Sequence, residues 1–336
     1  MSVNRNMHER ECKNALKNNN NKSDVSDEGN EEIIKRKPTF KDKYDLIKKI
    51  GSGSFGEVYL CYDKRRQRHI ALKVEDIQKG KTPKLRREYG VYKLLHKYNV
   101  PFIPQTYGYY PTKKCYLMKM KLLGASLDVL FEKNNTCFDI GTTLKLGIDM
   151  IEIMKNLHNA KIIHRDIKPN NFMVGKEDPE NVYIMDFGLA KQYIKNGKHI
   201  KHKTGKPLIG TARYTSVNVH MGIEPCRRDE LEAIGYMLVY FLKGKLPWQG
   251  LKKKGQVMTR SEQIEKIGNV KIAIKTSKIC EDIPECFNTY IDATKSLKFF
   301  EDPDYDYLKS IFRDYAGKNG IKLEYSWVRD GVDMTH

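Results

Sequence analysis

The sequence has 336 residues, of which 40% are hydrophobic and 10% aromatic, a composition that suits a folded protein of two lobes or two small domains. Lys and Arg together exceed Asp and Glu by 19, so we expect an anionic partner such as nucleic acid, acidic membrane or phosphorylated protein. No run of 18 apolar residues predicts a membrane span, and seven scattered cysteines without C-x-x-C spacing argue against a zinc site or a disulfide framework.

A polar segment opens the chain. Residues 1–37 are rich in Asn, include the run NNNNKSDVSDEGNEE and lack an apolar period, which predicts a disordered extension. The start is too polar for a signal peptide, so we expect an intracellular protein, cytoplasmic or nuclear or both, with free thiols. Ser2 replaces the Gly that myristoylation needs and the last residues contain no Cys, so we expect no membrane anchor.

The next part of the chain alternates strand patterns with one helix. The segments YDLIKKI, GEVYLCYD, HIALKVE and CYLMKMK are rich in β-branched or aromatic residues and are separated by turns, which predicts four strands. An apolar face at helical spacing over residues 84–98 predicts a helix between the third and the fourth. Residues 38–123 should therefore form a small β-rich lobe.

After Gly124 the pattern is mainly helical. Helical periodicity is strongest over residues 144–160, 229–244, 284–300 and 304–317. We therefore expect a larger, mainly helical lobe over residues 124–330, a short tail over 331–336, and an α+β fold of two lobes with a crevice where they join.

A glycine-rich stretch, GSGSFGEV at 51–58, follows the first predicted strand. Glycine lets a backbone approach phosphate closely, because no Cβ intervenes and positive φ is allowed. The same G-x-G-x-x-G spacing occurs in dinucleotide-binding folds, where a helix follows the glycines. Here Val58–Leu60 continues as a strand, which favours a phosphate-covering hairpin; a purely structural glycine turn remains open.

Lys73 lies inside the apolar strand ALKVE. A buried ammonium needs an anionic partner, since an unpaired one costs several kcal/mol. The phosphates of ATP would serve, and so would Glu88 on the predicted helix. The alternative is that the Lys73 side chain reaches out to solvent, as an arbitrary strand lysine usually does.

The stretch IIHRDIKPNNFMV places a carboxylate, a cation and an amide on one loop: Asp166, Lys168 and Asn171. Pro169 excludes a continuous helix, and the apolar residues on either side predict short buried strands that hold the loop. The alternative is a polar turn that joins the two strands of one hairpin.

A second carboxylate, Asp186, follows the apolar strand residues of IMDFGLA. Beside Asn171 it would supply oxygen ligands for Mg²⁺, which takes few protein ligands and keeps phosphate oxygens and water. Taken alone, Asp-Phe-Gly could equally be a turn.

In chain order these features are a glycine loop, a strand Lys, a helix Glu, HRDxKxxN and DFG, which are the signatures of protein kinases. Phosphoryl transfer relies mainly on positioning and charge stabilisation. Asp166 would accept or orient the substrate hydroxyl, Lys168 would steady the γ-phosphate, and Asn171 with Asp186 would hold the metal. The expected ligands are therefore ATP and Mg²⁺.

One kinase signature is absent, because Thr215-Ser216-Val217-Asn218 stands where most kinases have Ala-Pro-Glu, whose Glu pairs with a later Arg. In this respect, and in GTARY, LLGASLDVLF, GIEPCRRDELE and LPWQGLK, the chain resembles the casein kinase 1 family over residues 38–330. The resemblance implies a bilobal protein-kinase fold, transfer to Ser or Thr, and a preference for acidic or phosphorylated protein substrates.

The resemblance also implies site residues. Val58, Ala71 and Met173 should sandwich the adenine, with backbone groups of residues 121–123 bonding to it. The implied nucleotide-binding set is Ile50, Gly51, Ser52, Gly53, Ser54, Phe55, Gly56, Glu57, Val58, Ala71, Lys73, Glu88, Met120, Lys121, Leu122, Leu123, Met173 and Asp186.

A pocket for substrate phosphate should include Arg213 and Lys206, because the planar guanidinium binds phosphate with two hydrogen bonds. The family's third basic residue falls near Arg260, although the loop length differs here. An internal salt bridge is the alternative role for Arg213.

Two other classes of function compete with an active kinase, which we expect to be a monomer. A pseudokinase scaffold would bind partners through the same fold, but every catalytic position is filled, and ATP turnover would separate the two. A basic nucleic-acid-binding protein is suggested only by the charge, since no dedicated nucleic-acid module is visible. Salt-sensitive binding to duplex that persists with the ATP site occupied would favour it.

Overall fold

The computed structural model describes residues 40–53, 56–77, 82–251 and 258–333, so the predicted extension over 1–37 lies outside the described residues. The described chain divides into two compact units. One comprises the residues up to Tyr89 together with Gln105–Leu122, and the other Gly90–Pro104 together with the residues from Leu123 onward. The first unit carries an antiparallel sheet and the second is mainly helical, which confirms the predicted α+β fold.

Five antiparallel strands build the first unit, in the order β1-β2-β3-β5-β4. Their bounds are β1 Tyr44–Gly53, β2 Gly56–Asp63, β3 Arg68–Asp76, β4 Thr106–Pro111 and β5 Cys115–Lys121. A short helix, α1 (Phe40–Lys43), precedes the sheet. Alternate residues of β2, β3 and β5, among them Cys61, Leu72 and Leu117, form a buried cluster on one face. The edge strand β4 is the strand that the sequence pattern did not predict.

Ten further helices, α2 to α11, follow the start of the sheet in the described chain. Their bounds are α2 Lys84–Lys97, α3 Leu127–Lys133, α4 Ile140–Asn159, α5 Val217–His220, α6 Arg227–Lys243, α7 Arg260–Ala273, α8 Thr276–Ile279, α9 Glu285–Ser296, α10 Tyr305–Lys318 and α11 Ser326–Arg329. The predicted helices correspond to α2, α4, α6, α9 and α10. Asp139 caps α4 by accepting a hydrogen bond from the Thr142 N–H at 2.6 Å, and Gly244 ends α6 in the left-handed conformation.

Short strand pairs frame the loops between these helices. β6 (Ile162–Ile163) pairs with β9 (Lys191–Gln192), whereas β7 (Phe172–Val174) pairs with β8 (Val182–Ile184). A last pair joins β10 (Ile194–Lys195) to β11 (Lys198–His199). β6 and β7 thus have different partners, so residues 164–171, called the HRD loop below, do not close a single hairpin. The alternative of a simple hairpin turn is wrong.

Close helix packing forms the core of the second unit. α4 packs against both α6 and α10, and a Cβ on Gly147 of α4 would lie 2.7 Å from a ring carbon of the buried Phe312 on α10 and 3.0 Å from Leu238 on α6. A contact below 3.0 Å cannot form without movement of the neighbour, and both neighbours are fully buried. Gly147 therefore sets how closely α4 approaches α6 and α10.

Two further observations concern the described residues as a whole. Six cysteines, Cys61, Cys115, Cys137, Cys226, Cys280 and Cys286, are free thiols there. Burial raises the pKa of Cys61, Cys115, Cys226, Cys280 and Cys286. None of the described helices combines the length and the apolar character needed to cross a membrane.

We predict that Gly147→Ala lowers the free energy of unfolding by up to about 2 kcal/mol, because overpacking costs roughly 1–3 kcal/mol and helix propensity offsets about 1 kcal/mol of that cost. Gly90→Ala in the middle of α2 is the matched control, since a Cβ there meets nothing within 4 Å. The free energy of unfolding of Gly90→Ala should rise by up to about 1 kcal/mol. Urea denaturation of both variants measures the difference, and equal gains would show that α4 has room to move.

Candidate active site

The glycine-rich stretch forms the turn between β1 and β2. Gly53 pairs with Gly56, and the chain continues as strand through Val58, so the two strands form a hairpin and the dinucleotide turn is excluded. That this hairpin covers phosphate stays a prediction. Gly56 has φ +141°, and a Cβ there would lie 1.9 Å from the carbonyl oxygen of Val74 on β3. No other residue fits at this position. Ser54 and Phe55, which belong to the predicted phosphate-binding set, lie outside the described residues.

A buried ion pair links β3 to α2 within the same unit. The Lys73 ammonium lies 2.9 and 2.8 Å from the two carboxylate oxygens of Glu88, and the side chains are only 7% and 1% exposed. The pair excludes the alternative that Lys73 reaches out to solvent. In the sheet, Lys73 lies opposite Val58 of β2 on one side and Met118 of β5 on the other.

The residues expected near the adenine and at the hinge are distributed over both units. Ala71 and Met120 are register partners on β3 and β5, and both are buried. β5 ends at Lys121, whose N–H donates to the Gln105 carbonyl oxygen at 2.8 Å. Leu122 and Leu123, both buried, stand at the division between the units. Ile50 and Ser52 belong to β1, Glu57 to β2, and the half-buried Met173 to β7.

In the second unit, the HRD loop collects its polar side chains around Asp166. The Lys168 ammonium donates to Asp166 Oδ2 at 2.6 Å, and the Asn171 amide nitrogen donates to the Asp166 backbone oxygen at 2.8 Å. The Thr211 hydroxyl donates to Asp166 Oδ1 at 2.8 Å. Both carboxylate oxygens are therefore oriented by donors, and Asp166 is itself only 8% exposed.

Backbone contacts fix the position of the HRD loop. Arg165 adopts φ +68°, and its N–H donates to Glu230 Oε1 on α6 at 2.6 Å. The second oxygen of Glu230 lies 2.8 Å from His158 Nε2. His164 Nε2 donates to the Met185 carbonyl oxygen at 2.9 Å, while its Nδ1 accepts the Asp166 N–H at 3.3 Å. These contacts hold Asp166 between the β6 and β7 strands.

The DFG segment lies beside the HRD loop. The Met185 N–H donates to the Asn171 carbonyl oxygen at 2.9 Å, which makes Asp186 a neighbour of Asn171. Asp186 is left-handed, with φ +66°, and its N–H donates to the Tyr92 hydroxyl at 3.2 Å. The Phe187 ring is buried edge-on against Tyr92, at 5.0 Å between centroids. Asp and Asn are the non-glycine residues that best tolerate this conformation.

The donor chemistry at Asn171 and Asp186 fits Mg²⁺. The Asn171 amide nitrogen is used by Asp166, which leaves the amide oxygen for a ligand, and Asp186 supplies a carboxylate. Within the described ranges no group of three or more His, Cys, Asp and Glu side chains could hold a metal by itself. A cation here would need oxygens from another molecule, as Mg²⁺ bound to nucleotide phosphates does.

The predicted phosphate-binding residues lie in different surroundings. Arg213 lines a cavity of about 310 Å³, and the second cation among the described lining residues is Lys266 on α7. Lys206 is half-buried and donates its N–H to Gly222 at 2.9 Å, while Arg260 is exposed at the first turn of α7. Neither Lys206 nor Arg260 is among the described residues that line this cavity.

Three residues of the site escaped prediction from the sequence: Thr211, Glu230 and Lys266. Thr211 lies within the GTARY stretch on which the family resemblance rests, but only the structure shows its contact with Asp166. Glu230 gave no signal either, because a Glu in the first turn of a helix is ordinary and needs no partner when it is exposed. Lys266 lies beyond a loop of different length and carries no signal of its own.

Residues 44–299 of the chain match the family model described as the protein kinase domain. This range includes the glycine hairpin, the Lys73–Glu88 pair, the HRD loop, the DFG segment and the cavity at Arg213.

We predict that Lys73→Met destabilises the fold by about 3–5 kcal/mol, because it leaves the Glu88 carboxylate buried without its ammonium partner. The double variant Lys73→Met with Glu88→Leu should recover much of that loss, since an apolar pair of similar volume removes the buried charge. Thermal unfolding of the two variants and of Glu88→Leu alone completes the cycle. Additive losses would mean that the two side chains do not interact.

Proposed function

Since the chain belongs to the protein kinase family, we propose that it is a serine/threonine protein kinase of the casein kinase 1 type, which transfers the γ-phosphate of Mg·ATP to acidic or phosphorylated protein substrates. The observation that carries the proposal is the pair of donors on Asp166, Lys168 at 2.6 Å and Thr211 at 2.8 Å. A Lys two residues after the catalytic Asp is the arrangement of Ser/Thr kinases.

Asp166 would act on the substrate hydroxyl. The hydroxyl oxygen attacks the γ-phosphorus, the bond from that phosphorus to the β-γ bridging oxygen breaks, ADP leaves, and Asp166 receives the hydroxyl proton. Because Lys168 and Thr211 each donate to one carboxylate oxygen, Asp166 is held in one orientation. Lys168 is also close enough to this carboxylate to offset charge on a transferring phosphoryl group.

The other proposed contacts follow the chemistry of each group. The hairpin at Gly53 and Gly56 would cover the phosphates with backbone N–H groups, and Lys73, held by Glu88, would bind them as a point charge. Asn171 and Asp186 would hold Mg²⁺, which when bound neutralises phosphate charge.

We predict that Asp166→Asn lowers kcat at least a thousandfold with little change in the Kd for ATP, because the variant loses the proton acceptor and keeps the nucleotide contacts. Peptide phosphorylation and equilibrium ATP binding measure the two effects. Asp149→Asn is the matched control: this carboxylate on α4 bonds to Lys145 and Tyr325 and should leave kcat within about twofold. Retention of most activity by Asp166→Asn would exclude Asp166 as the catalytic carboxylate.

The preference for phosphorylated substrates would come from the cavity at Arg213. Arg213 and Lys266 bring two cations to one cavity, whose other described lining residues are Trp248, Gln249, Gly250, Leu251, Met258, Gln263 and Ile267. A carboxylate partner for Arg213 would have favoured an internal salt bridge. Its described contacts are instead the Tyr214 hydroxyl at 3.4 Å and the Tyr240 ring at 5.5 Å. A guanidinium that packs against aromatic rings can still donate hydrogen bonds to a phosphate.

We predict that Arg213→Gln lowers kcat/KM roughly ten- to a hundredfold on a peptide with phosphoserine a few residues before the target Ser, the range expected for a charge-assisted contact. The loss on the unprimed peptide should be much smaller, and raising the salt should reduce the wild-type preference for the primed peptide. Lys266→Gln should behave like Arg213→Gln, and Arg260→Gln tests the third position that the resemblance suggests. Equal losses on both peptides would make Arg213 a structural residue.

A further inference from the structure

The segment that replaces Ala-Pro-Glu has no Glu to pair with a later Arg, yet it is held firmly in place. We call residues 210–217 the GTARY loop. The Ser216 hydroxyl donates to Asp229 at 2.6 Å and the Val217 N–H donates to Glu232 at 2.8 Å, both on α6. These contacts hold the end of the loop through its donors. The carbonyl oxygens of Ala212, Arg213 and Thr215 take their donors from outside the loop.

Lys271 on α7 supplies the donors for two of these carbonyl oxygens. Its ammonium donates to the carbonyl oxygen of Ala212 at 2.9 Å and also to that of Thr215. The residue is only 1% exposed, which is exceptional for a lysine. The rings of Tyr236 and Trp248 lie 4.9 and 4.8 Å from its nitrogen, a distance suited to cation–π attraction.

Other donors complete the set around the same carbonyl groups. His220 Nε2 donates to the Ala212 oxygen at 3.1 Å, so this oxygen accepts from both His220 and Lys271. The Trp248 ring N–H donates to the Arg213 oxygen at 2.7 Å. Trp248 therefore both contacts Lys271 and holds the backbone of Arg213.

Burial also affects the pKa values of Lys271 and of its neighbour His220. Burial lowers the pKa of Lys271 well below its ordinary value, and the negative charge of Glu232 opposes that shift. Burial together with the Lys271 charge lowers the pKa of His220 to about 4, which suits a neutral ring that donates from Nε2. Lys271 and His220 thus serve the loop as hydrogen-bond donors, and the imidazole of His220 is neutral.

Two residues in the first half of the GTARY loop carry the groups that matter for catalysis. Thr211 bonds to Asp166, and Arg213 lines the cavity proposed for substrate phosphate. Both residues flank Ala212, whose carbonyl oxygen Lys271 binds. A shift of about 1 Å in this backbone would therefore misplace Thr211 and Arg213 together.

We propose that Lys271 is a positioning residue, which holds the GTARY loop through its carbonyl oxygens and thereby takes the place of the missing Glu–Arg pair. The proposal rests on the proposed kinase activity. Lys271 does not touch the substrate; it fixes the loop on which Thr211 orients Asp166 and Arg213 faces the cavity.

The test compares Lys271→Met with a matched control, Lys309→Met. Lys309 on α10 is also buried, and it pairs with Glu152 and Asp306, which have no contact with the GTARY loop among the described residues. Each variant is assayed in the full chain for melting temperature, ATP affinity, and kcat and KM on primed and unprimed peptides. Hydrogen exchange at the amides of Tyr214, Thr215 and Val217 reports on the loop without requiring activity.

We expect Lys271→Met to lower kcat/KM roughly ten- to a hundredfold on both peptides, with ATP affinity unchanged and faster exchange at the three amides. Lys309→Met should lower the melting temperature while kcat/KM and exchange in the loop stay within about twofold of wild type. Loss on both peptides distinguishes Lys271 from Arg213, whose replacement should affect mainly the primed one.

Three results would overturn the inference: wild-type kinetics in Lys271→Met, equal losses in both lysine variants, or unchanged exchange in the loop. If Lys271→Met does not fold, Lys271→Gln takes its place, since the amide keeps an N–H donor but is too short to reach both carbonyl oxygens. For Lys271→Gln, an intermediate loss of kcat/KM on the peptides with unchanged ATP affinity supports the inference, and wild-type kinetics overturn it. An inactive wild-type protein would instead contradict the proposed function, while the exchange measurement would still test Lys271.

Discussion

Three buried carboxylates on helix α6 hold both loops of the candidate active site. Asp229, Glu230 and Glu232 are 4%, 3% and 1% exposed, and burial raises the pKa of Asp229 and Glu232. A buried carboxylate is costly unless donors satisfy it. Glu230 takes its donor from the HRD loop, at the Arg165 N–H, whereas Asp229 and Glu232 take theirs from the GTARY loop. If either loop left α6, these buried carboxylates would lose donors and keep, among the described residues, only those from His158, Cys226 and Tyr236.

The position of these acids on α6 helps to explain why the fold tolerates them. Asp229 and Glu230 lie in the first turn, where the unpaired N–H groups of a helix favour negative charge. The GTARY loop is consequently held by two complementary sets of groups. Carboxylates of α6 bind its N–H and hydroxyl donors, while Lys271, His220 and Trp248 bind its carbonyl oxygens. A single Glu–Arg pair would not satisfy both kinds of backbone group.

The sequence predicted those parts of the fold and of the site that depend on residues close together in the chain. Strands β1, β2, β3 and β5 and the main helices follow from alternation and helical periodicity, and a lysine inside an apolar strand predicted an anionic neighbour, which the structure shows to be Glu88. Edge strand β4 was missed because Gly108 and Pro111 interrupt its aromatic run and little of it is buried. The contacts of Asp166 with Thr211 and of Lys271 with Ala212 join residues 45 and 59 positions apart. No short sequence pattern encodes such pairs.

The charge excess of the sequence was also a poor guide to partners, because a count of charged residues does not distinguish exposed charge from buried charge. Lys119, Lys271 and Lys309 are all buried, and groups inside the protein satisfy each of them. These cations are unavailable to a partner, although each adds to the total of +19. Attraction between exposed charges falls off over about 8 Å at physiological salt, so the charges that select a substrate must lie close to the site.

The chain leading into the GTARY loop supplies such charges. Residues 191–209 contain no Asp or Glu, and their most exposed lysines are Lys195, Lys198, Lys201 and Lys203. This run directly precedes Gly210 in the chain, where the loop that carries Thr211 and Arg213 begins. A protein substrate with acidic or phosphorylated residues near its target Ser or Thr would meet that charge as it approached Asp166. The location of the lysines, more than their number, therefore supports an acidic substrate.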